Sequence, residues 1–180
     1  MDAVKLLKER RSIRKFKDEK VDRDLMKEII STSVYAPSWA NTQIARYTLI
    51  DNKEIMERLS NEVFMGFKFN TKILSNAAGV VVLSYVKGMS GYGPDGKYAT
   101  SKGSSWEMFD AGIAAQTFCL ASYEKGVGTV ILGIFDENKV AEIIDLPEGE
   151  EIGALIPYGF ETEHPIAPKR NSVEDILRFK

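Results

Sequence analysis

The chain has 180 residues, 44% hydrophobic and 28% charged, with 24 Lys and Arg against 26 Asp and Glu. This is globular composition, well outside the disordered range, and a net charge of −2 gives no global attraction to nucleic acid or to an anionic membrane. One cysteine, Cys119, and one histidine, His164, exclude an internal disulfide, a zinc site of four ordinary Cys or His ligands within one subunit, and a four-thiolate iron–sulfur cluster.

Residues 1–180 are expected to form one domain. A chain of this length buries roughly 70% of its unfolded surface and needs no metal or disulfide to fold. Val4 to about Arg10 is expected to be helical and runs into the basic stretch Arg10-Arg11-Ser12-Ile13-Arg14-Lys15-Phe16-Lys17. Asp22 is placed to cap a second helix, with Val21 stapled against Met26. Leu25, Ile29, Ile30 and Val34 continue it at helical spacing, and Pro37 ends it. Tyr47 to Ile50 suggests a short strand. Glu54 to about Asn76 is expected to be helical, with a break near Gly66. Gly79 to Val86 predicts a strand whose Val80-Val81-Val82-Leu83 run implies burial on both faces. Residues 88–103, with five glycines and Pro94, predict a flexible loop.

Ser104 and Glu107 have capping-box spacing for the next helix, which Gly126 stops. That helix is apolar on most faces, as suits the centre of a protein or of a dimer. Gly128 to Phe135 predicts a strand, Asp136 a cap, Ile152 to Phe160 a last strand and Ser172 the cap of a short helix. The pattern is an α+β or α/β chain with helices on both faces of a sheet. The longest apolar run, Ala77 to Val86, is half of a membrane span, and the opening residues do not resemble a signal peptide. A soluble, cytoplasmic protein is expected.

Chemistry-bearing residues are few. A Ser-His-Asp or Cys-His arrangement would have to use His164, which precedes Pro165 in a polar tail and suits a surface loop. Asp110 and Cys119 lie in the apolar helix and suit satisfied core positions. No phosphate loop and no Gly-x-Gly-x-x-Gly follows a strand. The basic cluster around Arg10, Arg11 and Arg14 has two readings that spacing leaves open. It is either a solvated complement to a helix C-terminus or an anion site, with Ser12 as a further donor. Lys169-Arg170 is a second basic pair. A chain poor in nucleophiles but rich in anion donors fits an enzyme whose cofactor carries the chemistry.

These residues together resemble a known family. Arg10-Arg11-Ser12-Ile13-Arg14-Lys15-Phe16, Pro37-Ser38-Trp39-Ala40-Asn41-Thr42-Gln43, Asn70, Gly126-Val127-Gly128-Thr129, Ile131-Leu132-Gly133 and Lys169-Arg170 follow, in order, the motifs of the nitroreductase family of FMN-dependent oxidoreductases. The resemblance spans about 165 residues. It implies an α+β fold with a central, mostly antiparallel sheet of about four to five strands, in a domain-exchanged homodimer with flavin sites at the interface. By position, Arg10, Ser12, Lys169 and Arg170 would grip the FMN phosphate and ribityl oxygens, with Arg11 close by. Arg14 would face the pyrimidine edge. Pro37, Ser38 and Trp39 would come from the other subunit. Asn41, Gln43 and Asn70 would bond the ribityl chain or ring edge. Gly133 would offer its N–H to the flavin N5, with Ile131 and Leu132 on one ring face.

The implied activity is a ping-pong reduction. NADH or NADPH reduces the flavin, and an electron-poor small molecule such as a nitroaromatic or quinone takes the hydride. No side chain need be a catalytic acid or base; Arg14 and Gly133 would tune the flavin. The alternatives are an FMN carrier, store or sensor without turnover, and an offshoot that reduces another substrate. The sequence departs from the family pattern at Ile44-Ala45, where Pro-Trp is common, and at Ile134, where many members have a second glycine.

Overall fold

Successive residues of a strand point to opposite faces, and the run Val80-Val81-Val82-Leu83 divides in that way between two cores. Val80 and Val82 pack with Leu59, Val63, Phe64, Ile73, Leu74, Val140 and Ile143. Val81 and Leu83 pack with Met26, Ile29, Ala114, Ala115, Phe118 and Cys119. All four side chains are buried, and each stabilises the fold by roughly 1.5–3 kcal/mol relative to an exposed position.

The structure is a computed structural model and describes residues 2–180. Its elements are α1 (Ala3–Glu9), α2 (Arg23–Ser33), a 3₁₀ turn (Trp39–Asn41), β1 (Ala45–Ile50), α3 (Lys53–Glu62), α4 (Lys68–Ser75), β2 (Gly79–Val86), α5 (Ser105–Glu124), β3 (Gly128–Thr129), α6 (Glu137–Ile144), β4 (Glu150–Gly159) and α7 (Val173–Ile176). The sheet is antiparallel throughout, in the order β1-β2-β4-β3. Helices α3, α4 and α6 supply the core on one face, α2 and α5 that on the other. Among the described residues no helix is long and apolar enough to cross a membrane.

Local signals hold where the cap or break is local. The Asp136 side chain accepts from the Lys139 N–H at 3.2 Å. Ser172 and Asp175 form a reciprocal capping box. Helices α3 and α4 part around Met65 and Gly66, both at positive φ. Asp22 takes the expected N-cap position but makes no side-chain cap bond, while Val21 and Met26 share one core.

Two expectations fail. Ser104 makes no cap bond, because its own backbone is helical (φ −66°, ψ −8°), and the Glu107 carboxylate, the other half of the box, accepts instead from the Gly88 N–H. The strand expected over 128–135 pairs continuously at two residues only. Gly128 faces Gly159 and Thr129 faces Tyr158, so Val130 meets Pro157. The Val130 N–H reaches the Pro157 carbonyl at 3.3 Å, but proline has no N–H to return. The chain then touches β4 once more, Leu132 against Leu155, and peels away.

Candidate functional site

Residues 10–17 run along the edge of the sheet and meet it at two isolated bridges, Ser12 with Thr129 and Phe16 with Glu161. Ser12 pairs in parallel with Thr129. The Ile13 N–H reaches the Thr129 carbonyl at 2.9 Å and the Lys17 N–H the Phe160 carbonyl at 2.8 Å. Ile13 and Phe16, three residues apart, both enter the core, and Arg14 and Lys15 between them are exposed. The approach needs Gly128, since a Cβ there would lie 2.7 Å from Ile13 Cγ1.

Arg10 follows α1 directly, and both Arg10 and Arg11 are half-buried. Arg11 Nη1 donates to the carbonyls of Lys8 (2.7 Å) and Arg10 (3.0 Å). The Nε of each arginine is buried without a hydrogen-bond partner. Buried charged donors left unpaired are costly, and an oxyanion is the group that guanidinium forks satisfy best. Arg14 Nη1 bonds only the Ser12 carbonyl, at 3.3 Å.

Beyond Thr129 the same edge carries residues 131–134. Leu132 is in the core, while Ile131, Gly133 and Ile134 are exposed. A Cβ on Gly133 would meet nothing within 4 Å, so this edge borders open space. Asn70 is buried and its Nδ2 donates to the Ile134 carbonyl at 3.2 Å, which fixes α4 beside the edge. Arg10–Arg14, Asn70 and Ile131–Gly133 therefore form one neighbourhood. Phe67 and Phe69, exposed and in edge contact at 6.2 Å, lie just before Asn70 in the chain. They belong to no motif. Their signal in the sequence is two aromatic residues at the start of a helix whose core face is supplied by Ile73 and Leu74.

The loop Pro37–Gln43 lies elsewhere. Its Trp39 N–H donates to Asp110 Oδ2 at 2.9 Å, and the Trp39 and Trp106 rings stand 4.9 Å apart. It thus meets α5 near its N-terminus, whereas the basic segment joins the strand that leaves the C-terminus of α5. Roughly 20 Å of helix separates the two attachments. Ala40, Asn41 and Gln43 all have positive φ, and Pro37, Asn41 and Gln43 are exposed. Lys169 and Arg170 are exposed in the tail before α7, and no hydrogen bond or ion pair joins them to Arg10–Arg14 among the described residues. Burial pushes the Cys119 thiol up from its ordinary range, and His164 sits exposed beside Glu161. Neither is placed as a nucleophile or base.

Comparison with known proteins adds a family. A model described as the nitroreductase family matches residues 7–160. A Methanothermobacter thermautotrophicus protein with the provisional name NADH dehydrogenase/NAD(P)H nitroreductase is 26% identical over 92% of this chain and 80% of its own length. The solved nitroreductase family protein of Streptococcus pneumoniae TIGR4 superposes with a TM-score of 0.84 at 21% identity, covering 98% of this chain and 99% of its own. An Exiguobacterium sibiricum protein solved in complex with FMN gives 0.83 at 20% identity, over 100% and 98%.

Proposed function

The chain belongs to the nitroreductase family, and from that premise we propose that it is an FMN-dependent oxidoreductase. It takes reducing equivalents from NAD(P)H and passes them to an electron-poor small molecule such as a nitroaromatic or a quinone. The observation that carries this reading is the gathering of Arg10, Arg11, Ser12 and Arg14 on one segment at the sheet edge, beside the edge that Asn70 and Gly133 border, since such a donor set suits a phosphate monoester. Bound FMN supplies the hydride exchange between nicotinamide and acceptor.

The chain's own residues bind and orient. Arg10, Arg11 and Ser12 hold the phosphate, joined by Lys169 and Arg170 when the exposed tail folds against a second copy. Asn70 and the Gly133 N–H address the ring side, and Ile131 supplies apolar surface. Arg14 brings a positive charge to the rim, which favours taking up electrons there. Phe67 and Phe69 offer aromatic walls to a planar acceptor. Solvent supplies protons, since no described side chain is placed to do so.

A homodimer completes the site. Within one chain the Pro37–Gln43 loop and the basic segment are separated by the length of α5. That helix also leaves Met108 and Phe109 exposed, Phe109 by 59%, so an apolar face awaits cover. In a dimer, Pro37, Ser38, Trp39, Asn41 and Gln43 of one subunit complete the site of the other.

The experiment is flavin binding with and without the phosphate. The purified protein is expected to be yellow, or to quench added FMN stoichiometrically, and to bind riboflavin far more weakly. It is then expected to oxidise NADH or NADPH when an acceptor is added. A colourless protein that leaves FMN fluorescence unchanged overturns the proposal.

A further inference from the structure

Asp110 is a carboxylate with 4% exposure inside an apolar helix. Burying a charge is expensive unless it is hydrogen-bonded. Here a single oxygen, Oδ2, accepts twice: from the Trp39 N–H at 2.9 Å and from Ser90 Oγ at 2.6 Å. Ser90 is fully buried, and its Oγ lies 2.8 Å from Thr42 Oγ1. The carboxylate sets the direction of this chain. An ionised carboxyl only accepts, so Ser90 spends its one proton on Asp110, and Thr42 must donate to Ser90.

The two ends of this network bracket the loop. Trp39 is tied at its start and Thr42 near its end. Between and just after them, Ala40, Asn41 and Gln43 sit at φ 44°, 57° and 51°. Such backbone costs of order 1–3 kcal/mol per residue, least for Asn, and persists only where its surroundings over-determine it. Two further bonds close the loop: the Gln43 N–H to Ser38 Oγ at 2.9 Å and Arg46 Nη1 to the Gln43 carbonyl at 2.9 Å. Arg46 fastens the end of the loop to β1, and the Asp110 network anchors it to α5 through a buried carboxylate. Glu107, one turn earlier on the same helix face, binds the Gly88 N–H. Two buried carboxylates of α5 thus hold the 88–103 excursion, and through Ser90 and Trp39 Asp110 holds the loop as well.

We infer that Asp110 is a positioning residue: it locks the strained Ser38–Gln43 loop in the conformation that meets the flavin, and through Ser90 it couples that loop to the 88–103 excursion. The inference rests on the proposed flavin site, toward which Ser38, Trp39, Asn41 and Gln43 are the loop's contribution.

The test has two readouts. Trp39 and Trp106 are the two tryptophans of the chain, and they are in ring contact at the clamp. Trp emission therefore reports the loop without any flavin. Asp110→Ala is expected to red-shift that emission and to raise the FMN Kd by about tenfold or more, the equivalent of ~1.4 kcal/mol. Asp110→Asn, whose amide oxygen still accepts both donors, is expected to recover most of both effects. Ser90→Ala, a milder change in case Asp110→Ala fails to fold, is expected to raise the FMN Kd severalfold.

Wild-type emission and FMN affinity in the Ala variants, or a lowered Tm with an unmoved FMN Kd, would overturn the role of Asp110. Failure of the wild-type protein itself to bind FMN would overturn the flavin reading instead. The two failures are distinguishable.

Discussion

Gly128 shows how much can depend on one missing methyl group. A Cβ there would press on three atoms of the Ile13 side chain, at 2.7, 2.9 and 3.0 Å. Ile13 is fully buried and anchors the basic segment against Thr129. Gly128→Ala is expected to destabilise the fold by roughly 1–3 kcal/mol, the usual range for overpacking, and to weaken FMN binding by displacing Arg10–Arg14. Denaturant titration and FMN fluorescence measure the two effects. Arg10→Ala is the opposite case. It removes a cation whose Nε already lacks a partner, so apo stability should change little. FMN affinity should fall by ~1.5–3 kcal/mol, as for a charge-assisted hydrogen bond. A matching loss of riboflavin affinity would deny Arg10 its phosphate. Cys119 is buried, and its thiol is raised chiefly by desolvation, so thiol reagents should modify it only on unfolding.

At the scale of elements, α2 is fastened to the end of β1 by an arginine fork. Arg23 Nε donates to Asp51 Oδ2 at 2.8 Å, and Nη2 donates to Oδ1. The fork holds the Asp51 carboxyl below its ordinary value. A depressed carboxyl stabilises the fold above the unfolded value, near 4, and loses that contribution as pH falls through the folded one. Arg23→Ala is therefore expected to be less stable than wild type at pH 7, with the gap closing below about pH 4. Thermal melts across that range test the sign. Elements such as β2, the Asp136 cap and the break at Gly66 were legible in the sequence because their causes are local. The early end of β3 was not, because it comes from Pro157 on another strand. Likewise, Arg10–Arg14 and Asn70 stood out as motif residues. The Asp110 network joins positions 71 apart, and no spacing rule connects them.

For the whole molecule, the uncovered side of α5 and the divided site both point to association. An obligate interface should exceed ~2,000 Å², and Tm should then rise with protein concentration. Phe109→Glu adds a charge on the exposed face of α5 and gives up one edge contact with the Trp106 ring. It should lower a monomer's stability only by about the ~0.5–1.5 kcal/mol of one aromatic pair but split a dimer, with loss of FMN. Sedimentation with flavin fluorescence on dilution distinguishes these outcomes.

The edge segment of residues 10–17 also bears on how the molecule is made. Its partners are Thr129, Phe160 and Glu161, and the Lys15 carbonyl is approached by a side chain 147 positions later. This segment is therefore synthesised more than a hundred residues ahead of its partners. At 5–20 residues per second, Ile13 and Phe16 wait roughly 6–30 seconds for these partners. The basic residues around them keep that exposed segment soluble in the meantime.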